Sequence, residues 1–161
     1  MTKQNEEIER KKEAESTEEP SIQERIETWL RERYPHTVLQ TLGIRIDSYD
    51  ADRVVVSAEV SERLFQPMGI VHGGIYVLMA ETAASIAAAM SIDPLREVVM
   101  GMEINANHLR PVSEGTLRAI SSPLHKGRTT MVYHIDILDQ KDRRVAVSRC
   151  TMARRPIGEA S

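Results

Sequence analysis

A short segment near the middle of the chain combines a glycine pair with one carboxylate at a fixed spacing. His72, Gly73 and Gly74 precede residues 75–90, a run with no Gly or Pro, six alanines and a single acidic residue, Glu81. Alanine is the strongest helix former, so this run predicts a helix. The helix is apolar on nearly every side and should lie in a core, where burying an unpaired carboxylate costs several kcal/mol. A carboxylate kept in such a place indicates chemistry.

A hydroxyl and a helix N-terminus accompany this carboxylate. Ser85 follows Glu81 by four residues, so both side chains lie on one helix face about one turn apart. Gly73 marks the start of the helix, where unpaired N–H groups and the helix dipole favour developing negative charge. A base or nucleophile, a hydroxyl that orients water and an oxyanion site together suit acyl transfer to water.

The spacing of these groups also indicates how many chains build the site. Gly73 and Glu81 are eight residues apart, which is roughly 12 Å along a helix axis. One acyl carbonyl cannot touch both within one subunit. If two copies of the helix lie antiparallel, Gly73 of one subunit can face Glu81 of the other, so we expect a shared site in a dimer.

Composition excludes several other classes of function. Aromatic residues make up 4% of the chain, which argues against stacking on nucleic-acid bases. The net charge of −3 arises in residues 1–35, which contain seven Lys/Arg and ten Glu. Residues 36–161 therefore have no net charge, and this balance indicates neither a nucleic-acid nor a membrane partner. Cys150 is the only cysteine and the five histidines lack metal-ligand spacing, so we expect no disulfide, metal or other cofactor. Without a signal-peptide pattern or a long apolar run, the expected location is the cytoplasm.

The chain divides into three segments. Residues 1–20 are rich in Glu and Lys and predict a disordered tail. Residues 21–35 place apolar side chains at helical spacing after a capping Ser21 and predict an amphipathic helix that ends at Pro35. Residues 36–161 form the main domain.

Alternating patterns in this domain predict a sheet. Residues 43–49 and 53–60 read as a hairpin, and four extended runs follow the central helix, at 98–110, 115–125, 129–138 and 143–154. Connections this short suit an antiparallel meander. We therefore predict an α+β fold in which an antiparallel sheet of five or six strands wraps around one long central helix.

These motifs, taken together, resemble a known family. Gln66-Pro67, His72-Gly73-Gly74, Glu81 and Ser85, followed by 101–108 (GMEINANH) and 123–128 (PLHKGR), are similar to hotdog-fold acyl-CoA thioesterases. Within that family the resemblance is to the phenylacetate-pathway and 4-hydroxybenzoyl-CoA branch, and most closely to 1,4-dihydroxy-2-naphthoyl-CoA hydrolases. It runs from about residue 42 to residue 157.

The resemblance implies a role for each matching residue. It makes Glu81 the catalytic nucleophile or base, assisted by Ser85, while Gln66, His72 and the Gly73 amide hold and polarise the thioester carbonyl. It assigns the turn at His125, Lys126, Gly127 and Arg128 to the nucleotide end of coenzyme A. It also implies a homotetramer built from hotdog dimers.

Each of these residues also has a structural alternative. Glu81 could pair with a buried arginine, and His72 could simply cap the helix. Ser85 could bond back to its own helix turn, and residues 125–128 could be a solvated turn. Asn105, Asn107 and His108 are better explained by sheet and interface hydrogen bonds than by substrate contact.

Other functions on the same scaffold remain open at this stage. A hydratase or dehydratase would pair a His with an acidic residue after a Phe-Pro-Gly type loop, which the sequence lacks. An acyl-CoA sensor would not need a buried carboxylate. The run at 101–108 favours a dihydroxynaphthoyl-type substrate and hence menaquinone biosynthesis, with a broad aryl- or medium-chain acyl-CoA thioesterase, as in aromatic catabolism, as the alternative.

Overall fold

A computed structural model describes residues 20–158. The first element, helix α1 (Ile22–Arg33), begins at Ser21 with a capping box. The Ser21 hydroxyl accepts a hydrogen bond from the Glu24 amide, and the Glu24 carboxylate accepts one from the Ser21 amide. The structure therefore has a helix where the spacing of apolar residues predicts one. Apart from Pro20, the charged tail predicted for residues 1–20 lies outside the described residues.

The α1 helix is joined to the main domain by two short helical elements. A 3₁₀ turn (Tyr34–His36) includes Pro35, and a five-residue helix α2 (Val38–Leu42) ends at Gly43, whose φ of 68° suits glycine. The Tyr34 hydroxyl donates to the carbonyl of Ile44, the first residue of the sheet. This bond ties the N-terminal helical segment to the sheet.

Eight strands follow, all paired in antiparallel fashion. Six of them form one sheet in the order β1-β2-β6-β7-β8-β5, and β3 and β4 form a separate two-stranded hairpin. Their bounds are β1 Ile44–Tyr49, β2 Val54–Glu59, β3 Phe65–Gln66, β4 Ile70–Val71, β5 Glu97–His108, β6 Thr116–Lys126, β7 Thr130–Leu138 and β8 Arg144–Pro156.

The predicted meander is correct for β6, β7 and β8 but wrong for β5. Strand β5 pairs with β8 at the edge of the sheet, so β5 and β6 are consecutive in the chain but not neighbours in space. Turn residues show where a strand ends, whereas the choice of partner depends on the faces that must be buried. As a result, one long side of β5 has no partner strand in the described chain.

Helix α3 (Gly73–Ala89) packs against the six-stranded sheet. Its sheet-facing side is built largely of small residues with no exposed surface: Ala80, Ala83, Ala84, Ala87 and Ala88. Strand β7 alternates between buried and half-buried positions along its whole length, as expected for a strand with one face against the helix. This confirms the predicted α+β hotdog architecture, an antiparallel sheet around a central helix. Within residues 20–158, no helix has the length and apolar character needed to span a membrane.

Candidate active site

Glu81 is not buried in the core, contrary to the expectation from the sequence. The side of α3 that packs on the sheet is buried, but Glu81 lies on another side and is exposed. It lines a cavity of about 140 Å³, together with Gly101, Met102, Glu103, Ile104 and Cys150. A Cβ atom at Gly101 would lie 3.1 Å from the Glu81 carboxylate, so the glycine leaves room for that side chain. Among residues 20–158, Glu81 forms no ion pair with a buried arginine.

A bulge in β5 shapes this cavity. The register against β8 shifts between Gly101 and Glu103, which leaves Met102 without a partner in the ladder. The Glu103 carboxylate accepts a hydrogen bond of 3.0 Å from the Asn105 side-chain amide, and the Asn105 carbonyl accepts one from Ser148. Asn105 thus has the sheet-stabilising role expected from the sequence.

The cysteine in this cavity is not a nucleophile. Burial, reinforced by the negative charges of Glu81 and Glu103, raises the pKa of the Cys150 thiol to about 11. The thiol is therefore protonated at neutral pH, and the thiolate is the reactive form of cysteine. Glu81 and Glu103 are then the candidate nucleophiles or bases of this cavity. Glu103 already accepts a hydrogen bond from the Asn105 side chain, so Glu81 is the better candidate.

Ser85 lies one turn after Glu81 on α3 and is half-buried. Its hydroxyl forms no hydrogen bond among residues 20–158, whereas the neighbouring Thr82 hydroxyl donates to the Leu78 carbonyl one turn back. The back-bonding considered for Ser85 is thus made by Thr82, and the Ser85 hydroxyl is available to a ligand.

A second cavity, of about 350 Å³, lies at the N-terminus of α3. Its walls are Gln66, Ile70, Val71, Gly73, Tyr76, His108, Leu109, Arg110 and Pro111. The structure therefore brings together Gln66 and Gly73, two of the groups assigned to the thioester carbonyl. As the first residue of α3, Gly73 presents an N–H that has no carbonyl within the helix to bond.

The β3–β4 hairpin positions Gln66. Gly69, with a φ of 76°, closes the turn by donating to the Gln66 carbonyl. The Gln66 side-chain oxygen accepts a hydrogen bond of 2.7 Å from the Met68 amide. Because this bond occupies the oxygen, the Gln66 side chain offers its NH₂ group to a ligand, as a carbonyl site requires.

His72 caps α3, which is the structural alternative considered for it. Its Nδ1 accepts a hydrogen bond of 2.9 Å from the Gly74 amide. A neutral imidazole whose Nδ1 is an acceptor carries its proton on Nε2, so the exposed ring still offers a donor. A Cβ atom at Gly74 would lie 3.1 Å from His72 Nδ1, which accounts for the second glycine of the pair. Capping and binding a carbonyl are therefore compatible.

His108 is a functional candidate that the sequence analysis missed. It lies at the end of β5, and a Cβ atom at Gly73 would be 2.9 Å from its Nε2. The sequence favours sheet or interface hydrogen bonds over substrate contact for His108, and the structure places this residue in the wall of the Gly73 cavity. No local signal could reveal this contact, which depends on where the edge strand ends relative to α3.

The turn assigned to coenzyme A lies apart from both cavities. His125, Lys126, Gly127 and Arg128 line neither of them, and Lys126 forms an exposed ion pair of 2.7 Å with Asp52. A Cβ atom at Gly127 would be 2.5 Å from the His125 ring and 2.9 Å from the Thr130 carbonyl, so this turn requires glycine. The Thr129 carbonyl accepts from the Arg154 amide, which places the turn at the sheet end where β5 begins.

The two cavities share no residue. Gln66, Gly73 and His108 line one, Glu81 lines the other, and the two groups sit about 12 Å apart along α3. Within one protomer, Gly73 and Glu81 are therefore too far apart for both to contact a single carbonyl group. Among residues 20–158, no group of three or more His, Cys, Asp or Glu side chains is arranged to hold a metal ion.

Sequence comparison places the chain in a family. The profile of the thioesterase superfamily matches residues 68–146. A stretch of 118 residues is 51% identical to ComA2 of Bacillus subtilis, a relative that is named as an esterase, and covers 73% of this chain and 94% of that one. A stretch of 114 residues is 46% identical to a 1,4-dihydroxy-2-naphthoyl-CoA hydrolase of Listeria monocytogenes, over 71% of this chain and 92% of that one.

Solved structures agree with this placement. The thioesterase SAV0944 of Staphylococcus aureus superposes with a TM-score of 0.72 at 34% identity, over 75% of this chain and 100% of that one. Structures of two of its variants are known, one with a glutamate replaced by alanine and the other with a glutamine replaced by alanine. The two positions are 15 residues apart, which is also the separation between Gln66 and Glu81 in this chain. The chain belongs to the hotdog-fold thioesterase superfamily, and it is a thioesterase.

Proposed function

We propose that the protein hydrolyses acyl-CoA thioesters at a site that two subunits build together. The observation that carries this proposal is the division of the catalytic groups between two cavities. The Gln66–Gly73 cavity is lined by hydrogen-bond donors and by no carboxylate, while the other cavity is lined by the carboxylates of Glu81 and Glu103. Pairing the first cavity of one subunit with the second cavity of the other supplies every group that hydrolysis needs.

The free edge of the sheet supports this assembly. Among the described residues, one edge of strand β5 has no partner strand. The strand carries the apolar side chains of Val98, Met100 and Met102, which are 40%, 52% and 60% exposed. An exposed edge strand with apolar side chains favours pairing with another chain. Met102 also borders the Glu81 cavity, so a second subunit at this edge would close that cavity. Two such dimers would form the homotetramer that the family resemblance implies.

The chemistry follows from the positions of the donors. The thioester carbonyl oxygen binds the Gly73 N–H, with the Gln66 amide and His72 Nε2 beside it in one subunit. Glu81 of the other subunit then attacks the carbonyl carbon directly or takes a proton from an attacking water. Negative charge develops on the carbonyl oxygen, where the donors and the N-terminus of α3 stabilise it. The C–S bond breaks, and the products are the free acid and the thiol of coenzyme A.

Ser85 and Glu81 act on the same face of α3. The Ser85 hydroxyl has no competing hydrogen bond among the described residues, so it can hold the attacking water or a carboxylate oxygen. If Glu81 is the nucleophile, water must later hydrolyse the resulting anhydride, and Ser85 is placed to orient that water. Both routes give the same products.

Coenzyme A would lie along the surface towards the turn at residues 125–128. The side chains of His125, Lys126 and Arg128 are exposed there and suit the phosphates of the nucleotide. Lys126 would exchange its ion pair with Asp52 for a phosphate contact, which costs little because exposed ion pairs are weak. Gly127 keeps the turn compact.

We further propose an aromatic acyl group, such as 1,4-dihydroxy-2-naphthoyl, and hence a role in menaquinone biosynthesis in the cytoplasm. The support is the Listeria relative named for that activity. A broader aryl- or medium-chain acyl-CoA thioesterase, of use in aromatic catabolism, is the second candidate, because the more similar ComA2 is named simply as an esterase.

A thiol-release assay across a panel of CoA esters tests both parts of the proposal. We expect turnover of 1,4-dihydroxy-2-naphthoyl-CoA with a kcat/KM at least about tenfold above those of benzoyl-CoA and octanoyl-CoA, a difference of about 1.4 kcal/mol in the transition state. Similar values for all three esters would favour the broader enzyme. Absence of thiol release from every ester would overturn the proposed function.

A further inference from the structure

Tyr76 stands out among the walls of the carbonyl-binding cavity. It follows Gly73 by three residues on α3 and is only 3% exposed. Its hydroxyl oxygen is buried and has no hydrogen-bond partner within residues 20–158. Leaving a buried hydroxyl unpaired is unfavourable, since it loses its water partners and gains none. Such a group indicates a partner that arrives from outside the protomer.

The chain's other tyrosines do not have a buried hydroxyl without a partner. The Tyr34 hydroxyl donates to the Ile44 carbonyl, and Tyr49 is only half-buried. Tyr133, which is fully buried, has its hydroxyl 3.5 Å from both the Ser91 hydroxyl and the Met131 sulfur. Among the four tyrosines, Tyr76 is therefore the one whose hydroxyl is buried without a hydrogen-bond partner in residues 20–158, and it lines this cavity.

The surroundings of Tyr76 suit a ligand oxygen. Burial raises the pKa of the Tyr76 hydroxyl, so this group stays neutral and can both donate and accept a hydrogen bond. Its ring lies against that of His108, with centroids 5.5 Å apart and planes tilted by 39°. His108 is exposed and its side chain has no hydrogen bond in the described part of the chain, so it can turn aside at little cost.

The position along α3 sets which part of a substrate would reach this hydroxyl. Tyr76 is about 4.5 Å beyond Gly73 along the helix axis, or just under one turn. Gly73 and Tyr76 also line the same cavity, so an acyl group whose carbonyl binds at Gly73 shares that cavity with the Tyr76 side chain.

We propose that the Tyr76 hydroxyl binds an oxygen substituent on the acyl group and so selects oxygenated aromatic thioesters over unsubstituted ones. This inference rests on the proposed function. An unsubstituted ring leaves the buried Tyr76 hydroxyl without a hydrogen bond, whereas a hydroxyl on the ring supplies the missing partner. Sites that contain a buried polar group discriminate in this way against ligands that cannot pair with it.

Tyr76→Phe tests this inference, because it removes one oxygen and keeps the ring. The substrates are benzoyl-CoA, 2-hydroxybenzoyl-CoA and 3-hydroxybenzoyl-CoA, which differ only in the ring oxygen. We expect the wild-type protein to prefer at least one hydroxylated ester. The variant should lower kcat/KM for that ester by roughly 3- to 10-fold, as expected for one neutral hydrogen bond. Its kcat/KM for benzoyl-CoA should fall less, so the ratio of the two kcat/KM values, which measures the preference for the hydroxylated ester, should decrease.

Tyr133→Phe provides the matched control. It removes an equally buried hydroxyl that has partners and lines neither cavity, so it should leave the substrate preference unchanged. Thermal unfolding gives a second readout. Tyr76→Phe should leave the melting temperature of the free protein unchanged or raise it, while Tyr133→Phe should lower it.

Three outcomes would overturn the inference. An equal loss of kcat/KM on all three esters would show that the Tyr76 hydroxyl contacts the coenzyme A part that the esters share. Dissociation of the oligomer by Tyr76→Phe would show that the hydroxyl lies in the subunit interface. An unchanged preference would show that the hydroxyl contacts no substrate. In each case thiol release by the wild-type protein would leave the proposed function standing, whereas its absence from every ester would remove both.

Discussion

The ring of His108 lies so close to Gly73 that a Cβ atom at residue 73 would be 2.9 Å from His108 Nε2. This contact joins the end of the edge strand to the start of the central helix. It also means that the backbone N–H proposed to bind the carbonyl is approached on one side by an exposed imidazole.

Replacing Gly73 with alanine should therefore impair catalysis without unfolding the protein. The added methyl group displaces His108 and narrows the cavity, so we expect kcat/KM to fall by roughly tenfold or more. The fold should tolerate the change, because the displaced ring is exposed. In a His108→Ala background the same substitution should cost less, and a double-mutant cycle on kcat/KM measures the difference. Purely additive losses would show that the contact has no bearing on the site.

Glu81→Gln should abolish turnover. Both the nucleophilic and the base route pass through this carboxylate, so kcat should fall by more than about 100-fold. Because Glu81 is exposed in the protomer, the melting temperature should stay within about 2 °C. Glu114→Gln, an exposed carboxylate that lines neither cavity, is the control and should retain full activity. A Glu81→Gln enzyme with more than about a tenth of the wild-type kcat would contradict the assignment.

His72→Asn should separate the capping role of this residue from its role at the carbonyl. Asparagine is a good N-cap and can still accept from Gly74, so stability should be kept. The imidazole donor is lost, and we expect kcat/KM to fall roughly 10- to 100-fold. His72→Ala loses both functions and should also destabilise the protein by about 1 kcal/mol. If His72→Asn has wild-type kinetics, His72 is a cap and nothing more.

Mixing two inactive variants should restore activity if the site is shared. Glu81→Ala damages the carboxylate half and Gln66→Ala the carbonyl half, so a mixed dimer has one site with both defects and one intact site. Random exchange makes about half of the dimers mixed, which gives roughly a quarter of wild-type activity by symmetry. Mass spectrometry of differently tagged chains verifies the exchange. Complete exchange without recovered activity would mean that each subunit carries its own site.

Features set by local sequence were predictable. Ser21, a capping residue before apolar residues at helical spacing, predicts the start of α1, and the turn at residues 50–52 between two alternating segments predicts the first hairpin. The helix at residues 75–90 was predicted within two residues of its observed start at Gly73. In each case the deciding interactions lie within a few positions along the chain.

Features set by distant contacts were not predictable. The place of β5 at the sheet edge depends on its pairing with β8, some 50 residues later, and this pairing positions His108, at the end of β5, in the cavity. Glu81 was expected in the core because its helix is apolar all round. The helix instead leaves one apolar side uncovered in the protomer, which a single chain's hydrophobicity pattern cannot distinguish from burial.

The position of Gly73 and Glu81 on the same helix, α3, has a consequence for newly synthesised enzyme. If the site is shared, a newly made chain is inert however well it folds, since its own carboxylate cannot reach its own carbonyl site. Hydrolysis begins only after two chains have met, so the onset of activity depends on the square of the concentration of fresh protomers. Dilution below the dissociation constant of the dimer would switch the enzyme off without unfolding any part of it.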